Sequence, residues 1–86
     1  MEILKPQAAK IDRLIESGAV DKPRTILKKM AMAERMNALM DLWMVINKSP
    51  RHLKFFKENF SVELGALIKA EYNTDEAVKI YKGSIG

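Results

Sequence analysis

The chain has 86 residues, no cysteine, and 15 Lys and Arg against 11 Asp and Glu, giving a formal net charge of +4 and a pI near 9.5. That length supports a single domain over residues 1–86, near the lower end of what folds around one core without a metal. The missing cysteine excludes disulfides, thiolate nucleophiles and cysteine zinc sites together. The charge reaches the range in which nucleic acid is a partner to test, yet it is small enough to serve solubility alone.

Met1 to Pro6 lacks a basic flank followed by an apolar run, so no signal peptide is expected and the expected location is cytoplasmic. The longest apolar stretch, Ala38 to Ile46, is about half of what a bilayer crossing needs and contains Asp41, so no membrane partner is expected.

Pro6 suits the first turn of a helix, Ala8, Ile11, Leu14 and Ile15 recur on one face, and Gly18 reads as the stop. Asp21 can cap the next helix, with Pro23 in its first turn, and no breaker then appears before Ser49-Pro50. The expectation is one long helix from about 23 to 47, roughly 37 Å at 1.5 Å per residue. Ser49 as N-cap and Pro50 as first residue open a third helix that reaches about Phe60, with Leu53, Phe56 and Phe60 facing inward.

From Val62 to Tyr72, Leu64, Leu67 and Ile68 fall together, although Gly65 costs about 1 kcal/mol relative to alanine; this segment is either a separate helix capped by Ser61 or a kinked continuation. Asn73-Thr74-Asp75-Glu76 has the pattern of a capping box and opens a short last helix ending at Gly83. No alternating strand pattern or hairpin signal competes. The expected fold is all-α: a small orthogonal or bundle-like domain of four to five helices around one long central helix.

Five of the six methionines and the only tryptophan lie between Met30 and Ile46. On a helical wheel they form two seams of four-three spacing: Met32, Met36, Leu39, Trp43 and Ile46, and Ile26, Met30, Ala33, Asn37, Met40 and Met44. Leu27, Ala31, Ala38, Leu42 and Val45 form a third row. Surface that is apolar on most sides must be sheathed by the short helices of the same chain or by a partner. On the second reading Met32, Met36, Asn37, Leu39, Met40 and Trp43 form the interface of a homo-oligomer, most simply a dimer, or of a complex with another protein. Methionine repacks readily against varied shapes. Asn37 either sets the register of such a seam or lies at its edge in water, and a buried Trp43 needs an acceptor for its indole N–H.

Lys22, Arg24, Lys28 and Lys29 crowd the start of the long helix, and Arg51, His52 and Lys54 crowd the start of the next, just after Lys48. A helix start carries partial positive charge, so each cation there costs up to about 1 kcal/mol at exposed sites. The last helix obeys the dipole, with Asp75 and Glu76 first and Lys79 and Lys82 last. Two basic starts therefore point to anion sites, the sharper being Ser49-Pro50-Arg51-His52, unless the side chains bend into solvent or pair with carboxylates. With Arg35 extending one patch and Lys54 and Lys57 the other, they would hold DNA or RNA phosphates without reading sequence. A helix-turn-helix over Leu64 to Tyr81 matches poorly, because its last helix has no Arg, Asn or Gln for base edges.

Catalysis is not expected. His52 is the only histidine, Asp12 and Glu16 share a helix face at i and i+4 with no third ligand apparent in sequence, and there is no glycine-rich phosphate loop. No cofactor or metal is expected. The function expected is a non-enzymatic helical interaction or regulatory module that self-associates through the methionine helix; the alternative is a small basic nucleic-acid-binding protein.

Overall fold

The computed structural model describes residues 6–44 and 49–85. Among them the protein is all-helical, with α1 Pro6–Glu16, α2 Asp21–Lys29, α3 Met32–Met44, α4 Pro50–Asn59, α5 Ser61–Lys69 and α6 Thr74–Ile85. None of these helices is long and apolar enough to cross a membrane.

The sequence's punctuation sets most of the boundaries. Gly18 ends α1 at φ +92°, its N–H bonding to the Ile15 carbonyl and that of Ala19 to the Leu14 carbonyl, both at 3.0 Å. This is the paired bonding of a Schellman stop, in which glycine takes the left-handed position. Ser49 caps α4, its Oγ accepting from the His52 backbone N–H at 3.3 Å, and Pro50 follows as the first helical residue. Asn73 Oδ1 accepts from the Glu76 N–H at 3.0 Å, half of the anticipated box. The other half does not form, because the Asn73 N–H is already bound to the Ala70 carbonyl at 3.1 Å. The last helix continues through Gly83 to Ile85.

The long central helix is not one helix. Met30 turns extended (φ −74°, ψ 152°), dividing it into α2 and α3, and neither proline nor glycine is involved. Arg35, on the first turns of α3, donates from Nε to the Leu27 carbonyl at 3.0 Å and from a terminal nitrogen to the Lys28 carbonyl at 3.1 Å. Its other terminal nitrogen meets Glu63 of α5 at 3.3 Å, in a pair whose side chains are only 13% and 9% exposed. One guanidinium thus bonds two carbonyls in the last turn of α2, of which that of Leu27 also accepts from the Met30 N–H at 3.2 Å. A straight rod of about 37 Å would also outrun a molecule whose longest extent is 33 Å.

The bend lets α3 pack against α1, α2, α5 and α6, so a shorter helix occupies the centre. Met36, Leu39 and Leu42 from α3 meet Ile11 and Ile15 of α1, Leu27 of α2, Phe55, Phe56 and Phe60 near α4, Leu67 of α5 and Ala77 of α6 in one buried core. On α4 the inward face is His52, Phe55 and Phe56, not Leu53, which is 36% exposed. The pairing of His52 with α1 sets that rotation. Between α4 and α5 the chain bends at a single residue, Phe60 (φ −138°, ψ 36°), with Ser61 inside α5 rather than capping it.

Candidate functional site

The methionine seam faces inward. Met36 and Leu39 are fully buried within one chain, and Met32, Met40 and Trp43 pack partly buried against the same core. Trp43 sits edge-on to Phe56 at 5.8 Å, and its indole N–H donates to the Tyr72 hydroxyl at 3.3 Å, the acceptor the sequence required but did not identify. Asn37 is half-buried and donates to the Ala33 carbonyl at 3.0 Å, a bond within its own helix. Met36 and Leu39 therefore have no surface left for a partner. Met44, at the end of α3, is half exposed; Val45 and Ile46, which extended the seam and the outer row, lie outside the described residues.

Arg24, Arg51 and His52, at the basic helix starts, are met by the chain's own acceptors. His52 is fully buried, with Nε2 2.8 Å from Asp12 Oδ1 and Nδ1 3.0 Å from Glu16 Oε2 and 2.7 Å from Ser49 Oγ. Arg51 donates to the Glu16 backbone carbonyl, so it caps the end of α1. The acceptors for Arg51 and His52 at the start of α4 are thus supplied by α1. Asp12 and Glu16 were visible as neighbours on one helix turn, but no periodicity could connect them to His52, 36 to 40 residues away.

At α2, Arg24 pairs with Asp21 and donates to Asn59 Oδ1 at 3.0 Å, tying α2 to the end of α4. Lys28 and Lys29, expected near a helix start, occupy the last turn of α2, where the dipole favours them. Arg35 is spent on the bend. Lys22, Lys54 and Lys57 are exposed, and Lys48 lies outside the described residues. Lys54 and Arg51 line a cleft of about 300 Å³ with Val20, Phe55 and Glu58, so an acid sits beside the two cations.

The feature that sequence reading missed is on α5. It was expected to bury Leu64, Leu67 and Ile68 together; Leu67 is buried and Leu64 partly so, but Ile68 is 50% exposed. Val62 is 48% exposed, and Gly65, between them on the same outward face, is exposed too. A Cβ built on Gly65 would meet nothing within 4 Å. A helix apolar all round belongs inside a protein, and here one side of α5 has no cover from the described chain. The signal was present as Val62-x-x-Gly65-x-x-Ile68, but a stripe of that spacing reads equally well as a core face. No protein-family model, curated protein or solved structure matches the chain.

Proposed function

We propose that the protein is a non-enzymatic helical module that works by self-association, and that two copies meet through the outward face of α5 rather than through the methionine seam. The observation that carries this is the symmetry of that face about Gly65. Val62 and Ile68 lie three residues to either side, Ser61 and Lys69 four. A two-fold axis at Gly65, with two α5 helices antiparallel, sets each Val62 against Ile68 of the other copy and each Ser61 against Lys69. Such a patch is self-complementary, as a two-fold interface must be.

Gly65 supports the same reading. Inside a helix glycine costs about 1 kcal/mol relative to alanine, and nothing among the described residues requires its small size. A second helix crossing at that point would, because a missing Cβ lets backbones approach closely. Burying the exposed halves of two Val62 and two Ile68 side chains contributes roughly 3–6 kcal/mol, so the dimer is weak and forms at high concentration.

Sedimentation equilibrium from about 10 µM to 1 mM tests it. The mass should rise from 9.8 kDa toward twice that, and Ile68→Glu should hold it at the monomer with an unchanged helical circular dichroism spectrum. A wild-type monomer across the whole range, or an Ile68→Glu variant that associates equally, overturns the proposal.

A further inference from the structure

We infer that Asp12, Glu16 and His52 form a binding site for one divalent transition-metal ion of the zinc class, joining α1 to α4. The three donor atoms lie within 4.8 Å of one another. Ion and site are matched in chemistry, since imidazole nitrogen and carboxylate oxygen are the donors such ions take outside thiolate sites.

The arrangement of donor atoms around the ring carries the inference. A neutral imidazole has one N–H and one bare nitrogen, yet each nitrogen of His52 faces a carboxylate oxygen, Nε2 toward Asp12 at 2.8 Å and Nδ1 toward Glu16 at 3.0 Å. A neutral ring keeps a lone pair on one nitrogen, and with a carboxylate oxygen from each of Asp12 and Glu16 close by, three donor atoms converge that one cation can share. A divalent ion on the neutral ring balances the charge of the two carboxylates.

The surroundings favour the Nε2 side for the ion. Ser49 Oγ, 2.7 Å from Nδ1, can accept that nitrogen's proton and hold the ring in place, the outer-shell support that metal-bound histidines ordinarily have. Zinc bonds of about 2.0–2.2 Å place ligand atoms at most about 4.4 Å apart, so a modest swing of Glu16 from Nδ1 toward the ion closes the set. Its side chain is 48% exposed and free to turn, and Asp12 is 26% exposed, so the carboxylate side opens to solvent while His52 is sealed behind it. Water completes a tetrahedral shell from that side.

Zinc chloride titrated calorimetrically into the untagged full chain should bind at one ion per chain with a dissociation constant in the micromolar range. Asp12→Asn and Glu16→Gln should each weaken it at least tenfold. Because His52 is the only histidine, nitrogen NMR of the wild-type ring reports the site without any substitution, and its Nε2 resonance should move on saturation with zinc. Absence of saturable binding up to millimolar zinc overturns the inference, as does unchanged affinity in both variants or an unmoved Nε2 resonance at saturation. The outcome is independent of whether α5 mediates association.

Discussion

Arg35→Met is the substitution that probes the fold most sharply. The arginine closes the α2–α3 bend and pairs with Glu63, whose side chain is 9% exposed. Removing one partner of a buried ion pair typically costs about 3–5 kcal/mol, chiefly because the other charge stays buried alone. Here the Leu27 and Lys28 carbonyls each lose a bond as well, although Leu27 keeps the Met30 N–H. A chain of this length has roughly 4–13 kcal/mol of stability in total, so the variant should lose from about a quarter of it to all of it. Urea unfolding followed by Trp43 fluorescence and far-ultraviolet circular dichroism gives the number. With a slope near 1–1.5 kcal/mol/M, the midpoint should fall by at least about 2 M. Arg35→Lys should lie between, keeping the charge but not the planar fork that reaches three acceptors. If α2 and α3 were one continuous helix, Arg35 would be a surface residue and its replacement would change stability by about 0.5 kcal/mol or less. A loss under 1 kcal/mol for Arg35→Met would refute the bend.

Three further substitutions test separate parts of the account. Gly65→Ala should stabilise the monomer by about 1 kcal/mol, raising its melting temperature by roughly 4–8 °C, while weakening the dimer; a change in which fold and association strengthen together would show that no helix crosses there. Glu71 sits at φ +53° where α5 ends, in the position that Gly18 fills for α1. A non-glycine residue in the left-handed region costs roughly 1–2 kcal/mol, so Glu71→Gly should raise the unfolding free energy by up to about 1 kcal/mol, and a decrease in chemical denaturation would count against that reading of the turn. Tyr72→Phe removes the hydroxyl that accepts from Trp43 and should cost about 1–3 kcal/mol with a changed Trp43 emission spectrum; unaltered emission would mean the indole N–H has another acceptor.

Local chemistry was readable wherever a residue acts on its own neighbours. Gly18, Ser49-Pro50 and Asn73 each mark a boundary that the fold keeps, because each works within about four residues of itself. The bend at Met30 was invisible for the opposite reason. Nothing between Lys28 and Met32 breaks a helix by propensity; the break is stabilised by Arg35 from the next helix and by Glu63 from a helix 28 residues away. Once α2 ends at Lys29, Lys28 and Lys29 move from an unfavourable helix start to a favourable helix end, and part of the argument for an anion site disappears.

The two candidate sites divide along the same line. The His52 cluster combines an i, i+4 pair that a helical wheel shows with a histidine that only tertiary packing supplies. On α5 every residue was in view, but a row of apolar side chains does not say which of two faces the rest of the chain will cover. Burial of Leu67 and exposure of Ile68, adjacent in sequence, were decided by where α6 and α3 pack. The methionine helix illustrates the reverse outcome: a surface rich enough for a partner is consumed by the core because the bend swings it inward.

The pairing of two α5 helices about Gly65 can be read directly by cross-linking, since the chain has no cysteine of its own. Ser61→Cys and Lys69→Cys variants, prepared separately and then mixed under mild oxidation, should form a disulfide-linked dimer joining one of each, while either variant alone should cross-link poorly. A mixture that yields no mixed dimer, or variants that link to themselves as readily as to each other, would contradict the antiparallel association on which the proposed function rests.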